Sequence, residues 1–237
     1  MLDVKALRAL IVDVDGTLYM QRPVRTAVAW RLLKAYATRP REGTSTLRAL
    51  RAYRRAQEAL REPRSPISGD LAAAQVRLAS QMTGEDGAFV GACLARWMHQ
   101  EPLDLVARAR REALCEFLQA VKHHQLSLGV FSDYPAMSKL EALGVARCFD
   151  VVVTAQDPEL QKFKPSPRGL EVTLQRLGVT PAQALYVGDR PDTDGLAAKW
   201  AGVSCVIIGR RHRTPTAGDA WLALSGYKAL SNAFGWN

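Results

Sequence analysis

Five short apolar runs constrain this chain more than any other feature. They are residues 7–14 (LRALIVDV), 126–131 (LSLGVF), 150–154 (DVVVT), 184–188 (ALYVG) and 203–208 (VSCVII). Most are rich in β-branched residues, and turn residues or acids bound them. Such runs suit strands buried on both faces, the habit of a parallel sheet covered by helices. Helical patterns lie between the later runs: residues 135–143, 167–177 and 194–201, closed by Gly144, Gly178 and Gly202. Strands alternating with helices imply βαβ units with right-handed crossovers.

Residues 20–112 break the pattern. They hold no strand runs and read as helices over 24–37, 45–62, 70–82 and 86–99, interrupted at Gly43, Pro63–Gly69 and Gly84–Gly87. In 45–62, Leu47, Leu50, Tyr53 and Leu60 fall near one face and Arg48, Arg51 and Arg55 on another, with Thr44 or Ser45 as the N-cap. The predicted organisation is an α/β core of residues 1–19 and 113–237 with a helical domain, 20–112, inserted after the first strand. A last helix is expected over 219–230.

Composition enters through charge. The chain of 237 residues has 32 Lys+Arg against 23 Asp+Glu, a formal net charge of +9. The segment from Arg22 to Arg64 carries twelve basic residues and three acids, so it accounts for the whole excess. A basic surface of this kind suits nucleic acid, an anionic membrane or an anionic substrate. Trp30, Tyr36 and Tyr53 interleave with the arginines, which suits either a stacking surface or a helical core with a solvated basic face. Cys93, Cys115, Cys148 and Cys205 show no metal or redox spacing and read as free thiols of a reducing compartment. The start, Met1-Leu2-Asp3-Val4-Lys5, lacks a secretory signal pattern, and no apolar window reaches 18 residues, so a cytoplasmic protein is expected.

The chemistry concentrates at the strand ends. Asp13-Val14-Asp15-Gly16-Thr17 closes the first run. Residues i and i+2 of a strand point to one side, and the carboxyl ends of parallel strands open into the ligand crevice. Two carboxylates so placed repel unless a cation or proton neutralises one. Phe131-Ser132-Asp133, Lys164-Pro165-Ser166-Pro167 and Val187-Gly188-Asp189-Arg190-Pro191-Asp192-Thr193-Asp194 follow in order.

These four motifs resemble the haloacid dehalogenase (HAD) superfamily, in its phosphoglycolate-phosphatase-like branch. The resemblance extends through residues 140–157 and 177–189 but not usefully through the insert, whose position is similar to a C1-type helical cap. It implies a three-layer Rossmann-like α/β core and a Mg2+-dependent phosphatase acting on a small phosphorylated substrate, as a monomer or homodimer. By the same resemblance Asp13 is the nucleophile and Asp15 the general acid and base. Mg2+ is held by Asp13, the backbone carbonyl of Asp15 and Asp189, with Asp194 acting through water. Ser132 and Lys164 hold the phosphate. Thr17 and Asp133 complete the candidate substrate contacts; Thr17 could instead orient Asp15 or cap the turn, and Asp133 could be a turn residue. Lys162 competes with Lys164, and Asp192 with Asp194, where the Lys-Pro pair and the DxxxxD spacing favour the second of each. Elementary physics agrees, because a carboxylate attacks a phosphate dianion only if cations offset their repulsion.

Rivals within the superfamily are a dehalogenase, opposed by Asp15, a phosphonatase, opposed by an insert with only Lys34, and a phosphomutase. A basic module binding nucleic acid or an anionic membrane is the rival from another class. Complete motifs argue against that module as the sole function, and against nucleic acid as the partner. The Arg22–Arg64 segment is then expected to steer an anionic substrate.

Overall fold

In the computed structural model, residues 6–61, 70–209 and 221–236 are described. Six strands form one parallel sheet: β1 (Ala9–Val12), β2 (Ser127–Ser132), β3 (Val151–Thr154), β4 (Ala184–Gly188), β5 (Ser204–Ile208) and β6 (Trp221–Leu224). Their order is β3-β2-β1-β4-β5-β6. The chain thus moves outward from β1 in both directions, and the reversal between β1 and β4 leaves a crevice beyond their carboxyl ends. β1 and β4 are fully buried, which is why neither alternates with polar residues.

Four helices flank the sheet: α6 (Leu114–His123), α8 (Arg168–Leu177), α9 (Leu196–Ala201) and α10 (Tyr227–Phe234); a short α7 (Met137–Ala142) follows β2. α8 packs on β1, β2 and β3 and touches α9, while α6 packs on β2 and touches α10, so the sheet lies between two helical layers. Gly129 permits the first packing: a Cβ there would come within 2.8 Å of Thr173 and 3.0 Å of Leu177, both in α8.

The chain divides into two compact units, Met1–Met20 with Arg110–Asn237, and Gln21–Ala109. The α/β unit resumes at Arg110 because that residue forms an antiparallel bridge with Tyr19. The second unit holds α1 (Gln21–Ala35), α2 (Pro40–Leu60), α3 (Leu71–Thr83), α4 (Gly87–Leu94), a wider turn over Ala95–Gln100, and α5 (Leu103–Arg108), a helix the sequence pattern did not suggest. Its core forms where α2 packs on α3 and α4. Leu50 and Tyr53 are buried there, and Gln75 donates to the Tyr53 carbonyl at 2.9 Å. α1 is tied to α5 by a two-pronged pair from Arg31 to Asp104, at 2.7 and 2.6 Å. Among the described residues, no helix is long and apolar enough to cross a membrane, and all four cysteines are free.

Several expectations need correction. α2 begins at Pro40, not near residue 45, and no side chain caps it. Proline at the first helical position brings a suitable φ and lacks an N–H that would be orphaned there anyway. Gly43 lies inside α2 rather than breaking the chain, because a Cβ there would come within 2.8 Å of the Tyr36 Cβ. Leu47 is exposed, so the apolar face is carried instead by Ala49, Leu50, Ala52, Tyr53 and Ala56. Trp30 is 60% exposed, whereas Tyr53 belongs to the core. The helix expected over 219–230 is replaced by edge strand β6 and the later α10. Trp221–Leu224 pairs with β5 in register, Cys205 opposite Trp221, so a free sheet edge overrode the helical pattern. The Pro63–Gly69 break and the start of that last helix lie outside the described residues.

Candidate active site

Asp13 is the first residue past β1, and its N–H still donates to the Val187 carbonyl of β4 at 2.9 Å. The backbone then turns: the N–H groups of Thr17 and Leu18 both donate to the Val14 carbonyl. Gly16 makes this possible with φ +98°. It is also the point of closest approach, since a Cβ would fall 2.1 Å from an Asp189 carboxylate oxygen. The turn is held from outside by Arg111, whose guanidinium donates twice to the Gly16 carbonyl at 3.1 and 2.6 Å. The Tyr227 hydroxyl donates to the Thr17 carbonyl at 3.2 Å.

Asp13 is buried between two donors. The Thr17 hydroxyl donates to Oδ2 at 2.9 Å and Lys164 Nζ donates to Oδ1 at 2.6 Å. Thr17 therefore orients Asp13, not Asp15, and its fully buried hydroxyl is already committed. The same ammonium donates to Asp194 Oδ1 at 2.7 Å and to the Tyr186 hydroxyl at 3.1 Å, while that hydroxyl donates to Asp194 Oδ1 at 2.8 Å. Asp194 Oδ2 accepts the N–H groups of Asp189 and Arg190 at 3.2 and 3.0 Å, which pins the loop after β4. Gly188 allows this fold-back, because a Cβ there would meet the Asp194 Cβ at 2.4 Å.

Asp13, Asp189 and Asp194 each offer a carboxylate oxygen within 4.8 Å of the others. The crowding shows in the protonation of Asp13 and Asp189, whereas at Asp194 burial opposes the charge but Lys164 and Tyr186 outweigh it and lower that acid. Burial, with Asp194 added and Lys164 opposing, pushes Asp13 up to about 7 from the ordinary 3.8. Burial, with Asp13 and Asp194 added, pushes Asp189 up to about 8. Burial opposes the Lys164 charge too, but the carboxylates of Asp13 and Asp194 outweigh it and raise that lysine. The three carboxylates, gathered around the Lys164 ammonium, are a set of hard oxygen donors that could hold a divalent cation. Mg2+, which prefers carboxylate oxygen, fits them.

Asp15 has different surroundings. Both of its oxygens accept from Lys139 Nζ, at 2.6 and 2.7 Å, and Oδ1 also accepts from the Tyr19 hydroxyl. Burial works against its charge, yet the adjoining ammonium prevails and lowers its pKa. Ser132 ends β2, buried, and its Oγ accepts the Tyr134 N–H at 3.4 Å. Asp133 accepts the Lys164 N–H at 3.0 Å, so it braces the lysine's loop. Lys162 is exposed, and so is Asp192, which pairs with Arg190 at 2.6 Å. Neither belongs to the cluster of Asp13, Lys164 and Asp194.

A family model for haloacid dehalogenase-like hydrolases matches residues 7–202. The chain belongs to that family. It is 35% identical over 144 residues to a phosphoglycolate phosphatase of Rhodospirillum rubrum, covering 59% of this chain and 58% of that one. The matches span 37% to 58% of the curated relatives compared. Two solved structures share the fold. A HAD phosphatase from Thermococcus onnurineus has TM-score 0.64 and 21% identity over 98% of this chain and 99% of that one. The magnesium-bound HAD hydrolase YfnB from Bacillus subtilis has TM-score 0.66 and 14% identity over 97% and 99%.

Sequence reasoning did not single out Lys139, Tyr19, Tyr186 or Arg111. Tyr186 left a trace, a hydroxyl in an otherwise apolar strand facing the same motifs. Lys139 left none, because a lysine in a short helix normally points to water.

Proposed function

We propose that the protein is a Mg2+-dependent phosphatase that hydrolyses a small phosphate monoester through an aspartyl-phosphate on Asp13. The observation that carries this reading is the Asp13–Lys164–Asp194 cluster at the sheet's reversal point, with Asp189 beside it. Asp13, the Asp15 carbonyl and Asp189 would hold Mg2+, and Asp194 would act through the loop and lysine it already fixes. Bound there, the ion supplies positive charge that screens the nucleophile from the phosphate. Lys164 adds a fixed ammonium where phosphoryl charge collects, and Ser132 adds a hydroxyl. Thr17 holds one Asp13 oxygen, leaving the other to the lysine and the attack. Asp15, two residues on, serves as acid and then base. The helical unit is read as a C1-type cap, and the phosphoglycolate phosphatase relatives favour a small anionic substrate.

Release of inorganic phosphate from a panel of sugar phosphates, nucleotides, phosphoglycolate and lipid phosphates tests this reading. Activity should require Mg2+, vanish in EDTA and return on adding the ion back. A panel with no turnover in Mg2+ sinks it, and phosphate moved to an acceptor sugar instead of water would mark a mutase.

The net charge gives a second expectation. Arg48, Arg51 and Arg55 lie exposed along α2. Fields of this size raise the capture rate of an anion by about tenfold or more at low salt. Reversing the three charges should lower kcat/KM for a multiply charged substrate by about that factor and flatten its salt dependence. An unchanged salt profile would leave them a solvated face.

A further inference from the structure

Lys139 is the lysine of α7 whose charge is turned inward. It is 9% exposed, and its ammonium spans both oxygens of Asp15, at 2.6 and 2.7 Å. Next to it, Leu140 is fully buried, which fixes this turn of the helix against the core. The Tyr19 hydroxyl adds a second donor to Oδ1 alone. The two oxygens of Asp15 are therefore unequal: Oδ1 has two donors and Oδ2 has one. An aspartate on a turn can otherwise rotate about both side-chain bonds, and a proton is delivered only in the plane of the carboxyl group. The two-oxygen grip fixes that plane in the carboxylate, and when Oδ2 takes up a proton and gives up its contact, Lys139 and Tyr19 still hold Oδ1 and keep the plane.

We propose that Lys139 is a positioning residue, which with Tyr19 orients Asp15 so that Oδ2 exchanges the proton with the leaving-group oxygen. The inference rests on the reading of Asp15 as acid and base. In the first step an Asp13 oxygen bonds to phosphorus as the bond to the leaving oxygen breaks. The electron pair goes to that oxygen, which takes the proton from Asp15 and departs as an alcohol. In the second, water bonds to phosphorus and gives a proton to the Asp15 carboxylate as the bond to Asp13 breaks, freeing inorganic phosphate and both carboxyl groups.

The consequence is selective. A nitrophenolate leaves without help, whereas an alkoxide must be protonated as it forms. General-acid assistance contributes about 10²–10⁴-fold where it is needed. Lys139→Met should therefore lower kcat for an alkyl phosphate such as glycerol phosphate at least about 30-fold more than for p-nitrophenyl phosphate. The change should fall on kcat rather than KM. Lys139→Arg should recover part of the difference, since it restores a donor to both oxygens. Tyr19→Phe should show the same contrast, smaller, and stands in if the lysine variant does not fold. Equal losses on both substrates, or a change confined to KM, would overturn the proposal and leave an ordinary ion pair. Asp13→Asn, run alongside, separates the failures: if it keeps turnover on both substrates, the aspartyl-phosphate mechanism on which this inference rests falls, whatever the Lys139 result.

Discussion

Asp13→Asn should abolish phosphate release while leaving the protein at least as stable as the parent. The first half follows from the chemistry: a neutral amide cannot form the phosphoenzyme, and loss of a nucleophile costs on the order of 10³-fold or more in kcat. The second half follows from the geometry. The carbonyl oxygen of the introduced amide can still accept from Lys164. The Thr17 hydroxyl, which donates to Oδ2 in the parent at 2.9 Å, can rotate and accept from the new amide instead. The substitution also removes a carboxylate that burial already pushes up to about 7. Sites that hold like charges together for function give up stability to do so. Phosphate release and thermal unfolding in chelator measure the two halves. Residual activity above about a tenth of the parent would exclude Asp13 as nucleophile, since removal of that role leaves far less. A large drop in Tm would mean that the Asp13 charge is needed to hold Lys164.

The different legibility of the two acids explains where reading the sequence stopped. The sheet was readable because strands buried on both faces need unbroken apolar runs, and β1, β2, β3, β4 and β5 each fall within or within one residue of one. Edge strand β6 was not: Trp221–Leu224 is also an apolar run, but it has no β-branched residue, and Leu and Ala suit a helix as well as a strand. At the site, the spacing argument placed Asp13 and Asp15 on one side of a strand. The strand ends at Val12, however, and the turn at Gly16 sends the two side chains to different partners. Thr17 consequently meets Asp13 and not Asp15. The motifs name the acids and Lys164 because their residue types and spacing are unusual together. Lys139 and Tyr186 reach the site through topology: Lys139 is 124 positions from its carboxylate. Pairings of that range depend on how α7 docks on the core, which local pattern does not encode. In α2, Pro40 displaced a good capping pair because the start of a helix depends on where packing begins as well as on local caps.

Lys164→Met should be the substitution at the site that costs the most stability, and it should cost turnover as well. Its ammonium touches Asp13 at 2.6 Å and Asp194 at 2.7 Å, all three groups being buried. Without it the two carboxylates face each other with Asp189 beside them. Removing one partner of a buried ion pair costs about 3–5 kcal/mol, because the remaining charge stays unsolvated. In a protein of this size that corresponds to a Tm lower by roughly 6–20 °C. Turnover should fall on the order of 10³-fold, since the charge that meets the phosphate is gone. The mechanism behind the loss can be separated from a simple packing defect. If the three acids form a cation site, Mg2+ binds the folded state and raises Tm by mass action. The variant, with its acids uncompensated, should gain more from saturating Mg2+ than the parent does, and recover part of the lost Tm without recovering turnover. A packing defect would give the same Mg2+ shift in both proteins. That outcome would argue that Lys164 does not share its carboxylates with a metal, and that the acids are balanced by lysine alone.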